Sequence, residues 1–85
     1  MKRKYQKTLE AIFSHPISSN IKWADVVAML SAYGAEVDES REGSRVAIIL
    51  EGNIVIQHKP HPSPNMDKGA VASLRKFFTD CGVKP

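Results

Sequence analysis

Arg45-Val46-Ala47-Ile48-Ile49-Leu50-Glu51-Gly52-Asn53-Ile54-Val55-Ile56-Gln57-His58 is the stretch on which the fold turns. Two runs rich in β-branched residues flank Glu51-Gly52-Asn53, the pattern of a β-hairpin. A three-residue loop with Asn53 in the left-handed region pairs Leu50 with Ile54, Ile48 with Ile56 and Val46 with His58. That register collects Val46, Ile48, Leu50, Ile54 and Ile56 on one face, with Arg45, Ala47, Val55, Gln57 and Lys59 on the other. A two-residue loop would mix the faces, so the three-residue loop is the expectation.

Working outward, residues 36–39 around Val37 read as a short edge strand, joined to the hairpin by a charged loop that ends at Gly43. Before it, Trp23, Val26, Val27, Leu30 and Tyr33 repeat at helical spacing, with Ser19 or Asn20 as the N-cap and Gly34 as the terminator. Tyr5, Leu9, Ile12 and Phe13 form the stripe of an earlier amphipathic helix over residues 3–14, stopped by His15-Pro16. After the hairpin, Val71, Leu74, Phe77, Phe78 and Cys81 line a last helix closed by Gly82, while Lys68, Ala72, Arg75 and Thr79 occupy its opposite side. The order is helix, helix, three strands, helix: an α+β chain.

The 85 residues are enough for one domain, which buries roughly 60–65% of its unfolded surface. A deep internal active site is not expected at this size; an open face suited to a polymer is. The net charge of +3 is unevenly spread. Lys2, Arg3, Lys4 and Lys7 make the start basic, Lys59, Lys68, Arg75, Lys76 and Lys84 make the last third basic, and Glu36, Asp38, Glu39 and Glu42 form an acidic patch between them. Such a distribution builds either an anion-attracting face or merely a solvated surface. The single cysteine, Cys81, excludes an internal disulfide framework, fits a reducing compartment and is read as a small buried hydrophobe. Gln6, Lys7, Thr8 and Glu10 break any apolar region of a signal peptide, and no run reaches membrane-spanning length, so the chain reads as soluble and cytoplasmic.

The chemistry concentrates in residues 58–69, His58-Lys59-Pro60-His61-Pro62-Ser63-Pro64-Asn65-Met66-Asp67-Lys68-Gly69. Each proline fixes its own φ and biases the preceding residue toward extended backbone, so His61 stands on a short rigid tether. Metal-independent RNA cleavage needs a base for the 2′-hydroxyl proton, an acid for the leaving 5′-oxygen and a cation for the charged phosphorane. His58, His61 and Lys59 or Lys68 have the chemistry for those roles. The alternative for His58, at the inner end of its strand, is packing against the helix layer. Lys68-Gly69 at a helix N-terminus, where backbone N–H groups lack partners, is a candidate phosphate site. His58 and His61 alternate along an extended segment, and no nearby cysteine or carboxylate completes a tetrahedral metal set.

Gly43-Ser44 at the start of the second strand, His61-Pro62 after the third, then Lys68-Gly69 opening a helix that ends in Cys81-Gly82-Val83 resemble the HicA family of bacterial toxin-antitoxin systems over about residues 21–83. The resemblance implies a fold like the double-stranded-RNA-binding domain, with helices on one face of a three-stranded antiparallel sheet and residues 1–16 as an N-terminal helical extension. It implies a metal-independent endoribonuclease, an mRNA interferase needing no cofactor, neutralised by a HicB-type antitoxin. Family members usually carry a catalytic histidine directly after Gly-Ser, where this chain has Arg45. Arginine stays charged and does not act as a base, but it clamps phosphate or stabilises a developing charge. The expected catalytic set is therefore His61, His58 and Arg45, with Ser44, Lys59, Lys68, Gly69 and Arg75 binding RNA. The alternative is a catalytically silent RNA-binding or antitoxin-binding module of the same fold.

Overall fold

The computed structural model describes residues 2–85. Helices α1 (Arg3–Ile12) and α2 (Trp23–Ala32) precede strands β1 (Glu36–Asp38), β2 (Arg45–Leu50) and β3 (Asn53–His58), and helix α3 (Lys68–Asp80) closes the chain. The strands form one antiparallel sheet in the order β1-β2-β3. Helix α2 packs against β1 and α3 against β3, while α1 lies against both α2 and α3 and not on the sheet. The expected α+β architecture, with the helices on one sheet face, is the one observed.

The core is continuous across these layers. Val46, Ile48 and Leu50 of β2 point to the helices, where they meet Val26, Met29 and Leu30 of α2 and Val71, Leu74 and Phe78 of α3. Leu9 and Ile12 of α1 are fully buried in the same cluster, so the N-terminal helix shares the core and bridges the other two helices. Both core helices end alike. The Ala35 N–H donates to the Leu30 carbonyl and Gly34 N–H to Ser31, and at the other end Val83 N–H donates to Phe78 and Gly82 N–H to Thr79. These paired bonds satisfy carbonyls that a helix end leaves orphaned. Neither Ser19 nor Asn20 caps α2: Lys22 holds that position without a side-chain bond, and a backbone bond from Trp23 N–H to the Pro64 carbonyl at 3.0 Å takes part of the load.

The hairpin corrects the expected register. Leu50 pairs with Asn53, Ile48 with Val55, Val46 with Gln57 and Arg45 with His58, so the turn is the two residues Glu51-Gly52. Both carry positive φ, +51° and +76°, which marks a type I′ turn. The twist of that turn matches the twist of the strands, and this local geometry outweighs the gain from collecting every isoleucine on the inner face. Gln57, expected outside, is 3% exposed on the helix side, whereas Ile54 and Ile56, expected inside, are 63% and 44% exposed. His58 also changes face. It stands on the open side of the sheet, exposed to solvent, which removes the packing explanation for its presence.

Arg75 has a structural task. Its Nε donates to the Ile12 carbonyl at 3.0 Å and its terminal nitrogen to the Ser14 carbonyl at 2.8 Å, binding α3 to the C-terminal end of α1. A cation at a helix C-terminus also complements the helix dipole. Two expectations follow. Arg75→Ala should lower unfolding free energy by about 1–3 kcal/mol in urea titration, since charged hydrogen bonds of this kind contribute on that scale. Glu51→Asn should raise it by about 0.5–1 kcal/mol, because asparagine tolerates the left-handed conformation that costs glutamate about as much.

Candidate functional site

At one end of the open sheet face the register sets Arg45 beside His58. They form a non-hydrogen-bonded pair, the kind whose Cα atoms approach to about 4.5 Å and whose side chains stand closest. Ser44 joins them: its Oγ lies 3.3 Å from His58 Nδ1. The Ser44 carbonyl accepts from Lys59 N–H at 2.8 Å, so Ser44 is tied to β3 through both backbone and side chain. Ser44, Arg45 and His58 are thus held on paired strands, and all three are exposed. With Nδ1 engaged by the serine, His58 presents its other ring nitrogen to solvent. Whether that nitrogen offers a proton or a lone pair is set by which partner donates in the serine contact.

The proline segment leaves this cluster and is fastened again at its far end. Met66 N–H donates to the Ile21 carbonyl at 2.8 Å, Asn65 bridges to Lys22, and the Met66 side chain is 3% exposed. Residues 60–64 therefore span two fixed points. His61 rides on this span, exposed between Pro60 and Pro62. The short anchored span keeps it near the sheet end, but the cluster of direct contacts is Ser44, Arg45 and His58. Lys59 is the first exposed cation beyond that cluster.

The start of α3 differs from the expected open anion site. Asp67 is the N-cap, and its Oδ1 accepts from Ala70 N–H at 2.7 Å. The carboxylate thus supplies the helix N-terminus with its own anion. A Cβ at Gly69 would stand 3.3 Å from Asp67 Oδ1, tight against the cap. Lys68 remains exposed beside the cap. Of the residues expected to bind RNA, Ser44 lies in the cluster, Lys59 and Lys68 are free surface cations, Gly69 makes room for the cap, and Arg75 is engaged with α1.

Gln57, which the sequence reading placed outside, links the two halves. Its Nε2 donates to the Ala70 carbonyl at 3.4 Å and so connects the residue before His58 to the first turn of α3. Beside it runs a groove of about 280 Å³ lined by Ile56, Gln57, His58, Asp67, Ala70 and Ser73. A lone glutamine amid apolar strand residues was the available signal for such a bond. Cys81 lies away from this end, half-buried with its Sγ 3.5 Å from the Leu50 carbonyl, and burial raises its thiol pKa. At the far edge of the sheet, hydrogen bonds from the Ser40 side chain and backbone hold the Asp38 carboxyl below its usual range, with Arg41 adding to the effect. The acidic patch is thus folded onto its own loop.

A three-stranded antiparallel sheet with helices on one face, and a polar cluster at the end of its open face, defines a small α+β module of the double-stranded-RNA-binding-domain type. Residues 23–82 match the family model described as HicA toxin of bacterial toxin-antitoxin, and the chain belongs to that family. No curated protein and no solved structure matches the chain. The matched region begins at the first residue of α2, so α1 lies outside it. As a HicA toxin the protein has an antitoxin partner. No helix among the described residues is long and apolar enough to cross a membrane.

The cap geometry makes a separable forecast. Asp67→Ala should cost about 1 kcal/mol of stability in thermal or urea unfolding. The same change should tighten binding of an RNA oligonucleotide in fluorescence anisotropy, by removing an anion next to Lys68 and freeing the Ala70 N–H.

Proposed function

We propose that this toxin is a metal-independent endoribonuclease acting on mRNA, with its reaction centred on Ser44, Arg45 and His58. The observation that carries the reading is the pairing of His58 with Arg45 on the open sheet face, Arg45 standing where the resemblance to the family implies a histidine. His58 takes the proton of the ribose 2′-hydroxyl. The freed 2′-oxygen attacks phosphorus, the bond to the 5′-oxygen breaks, and a proton passes to that leaving oxygen from His61 or water. The products are a 2′,3′-cyclic phosphate and a free 5′-hydroxyl. Arg45, permanently charged, stabilises the phosphorane formed between these steps. Lys59 and Lys68 hold the flanking phosphates. Ser44 orients the imidazole, the task that hydrogen-bonded partners of catalytic histidines commonly perform. A HicB-type protein is the proposed antitoxin, and the bacterial cytoplasm the proposed location.

A second reading rests on the substitution itself. Arg45 provides a phosphate clamp but no proton transfer, so a chain with His58 serving only as a hydrogen-bond donor binds RNA without cutting it.

Induced expression should arrest growth, and co-expression of the protein encoded beside it should relieve the arrest. Purified protein in EDTA should convert an RNA substrate to fragments with cyclic phosphate ends. His58→Ala should slow that cleavage by about 10²–10⁴-fold, the usual contribution of a general acid or base. Arg45→His should increase it, since a second imidazole then stands beside His58. Salt-sensitive binding with no cleavage, unchanged by Arg45→His, decides for the silent module.

A further inference from the structure

The hairpin register leaves one edge of the sheet open. Because Ser44 and Lys59 are joined by a backbone bond, the bonded pairs of the ladder are Val46 with Gln57, Ile48 with Val55 and Leu50 with Asn53. The backbone N–H and C=O groups of Ile54 and Ile56 therefore point away from β2. No backbone partner meets them among the described residues. Natural sheets protect such edges with lysine, proline, a bulge or shortness. The β1 edge follows that rule, at three residues with Glu36, Asp38 and Glu39 on or beside it. The β3 edge does not: residues 53–57 contain no charge and no proline, and its Ile54 and Ile56 are the two exposed large hydrophobics among the described residues, 63% and 44% accessible.

A groove of about 280 Å³ runs along Ile56 and His58 of this strand, and its α3 wall consists of the short side chains Ala70 and Ser73 together with Asp67. A strand added to an edge lies about 4.8 Å away. The open end of the groove is cationic, with Lys59 following His58 and Arg45 across the ladder.

We propose that the β3 edge is the docking site of the antitoxin, which adds an extended segment as a fourth strand. That segment alternates apolar residues against Ile54 and Ile56, and it carries a carboxylate at the end that lies beside His58 and Lys59. The proposal rests on the toxin reading and deepens it, because a strand laid along β3 ends beside His58 and obstructs one side of the candidate site. The antitoxin is the occupant that fits. A second copy paired through the same edge would cover His58 in both chains and leave the free toxin silenced.

The test uses the full chain and the protein encoded beside it. Amide hydrogen exchange is followed at Ile54 and Ile56, which should exchange rapidly in the free chain and be slowed about 100-fold or more in the complex. Ile56→Pro removes only an N–H that the ladder does not use, and prolines are tolerated on edge strands in that orientation. It should weaken the complex by about 30-fold or more, the scale of an interface hot spot. Ile54→Lys, an exposed site that keeps the fold, should do likewise and should arrest growth even when the partner is co-expressed. A complex that forms with both amides still exchanging rapidly overturns the docking site and leaves the toxin assignment intact. The absence of any complex removes both. A free chain that is dimeric with these amides already protected assigns the edge to self-association and overturns the proposal.

Discussion

The two-residue turn at Glu51-Gly52 sets the arrangement of everything that matters for function. Its two positive φ angles determine which residues of β2 and β3 face each other, and a strand shifted by one residue reverses every side chain. With this turn, Gln57 faces α3, His58 stands beside Arg45 in the open, and Ile54 and Ile56 lie outside the core. The alternative register buries two isoleucines and turns His58 inward. Exposing them forgoes on the order of 1.5–3 kcal/mol each relative to full burial. The protein carries that cost in a chain whose core is otherwise dense, and the exposed pair lies along the edge that runs to the polar cluster.

The helical layer decides which surfaces remain for ligands. Helices α2 and α3 cover the inner sheet face, and α1 closes the space between them with Leu9 and Ile12. Arg75 secures this closure by bonding the last carbonyls of α1. The cost is a cation withdrawn from the helix face where the sequence suggests a basic stripe. Asp67 likewise occupies the helix N-terminus that would otherwise attract a phosphate. Both arrangements tie up charge on α3, whereas Arg45, Lys59 and His58 at the sheet end stand exposed.

Much of this is legible in the residues. Helical periodicity locates all three helices, Gly34 and Gly82 mark the ends of two, and Trp23 is core as its spacing implies, at 6% exposure. The strands are also visible, to within a residue at their ends. The register is not. Pattern alone favours the loop that segregates polar from apolar, and the energetics of a primed turn are invisible to that count. The misassigned face has a second consequence for the site. His61, rigidly displayed by its prolines, looks like the leading imidazole, yet the structure gives the nearest neighbours to His58. Tethering is encoded locally and can be read from prolines, whereas the Ser44–His58 contact joins residues 14 positions apart and depends on the ladder.

The position of Arg45 ties these strands of argument together. The resemblance to the family implies a histidine at this position, and this chain instead sets an arginine there, beside the His58 imidazole on the same face. In the proposed reaction, proton transfer falls to His58 and fixed positive charge to Arg45. A permanent cation at this point also shapes the partner that must silence the site. A strand running along β3 reaches His58, and Arg45 lies directly across the ladder from that histidine. Leaving that charge buried and unpaired would be expensive, so a partner covering it must bring a carboxylate or stop short. On the proposed function and docking, the same residue thus shapes both the chemistry at the sheet end and the inhibitor that covers it, and the two are expected to vary together.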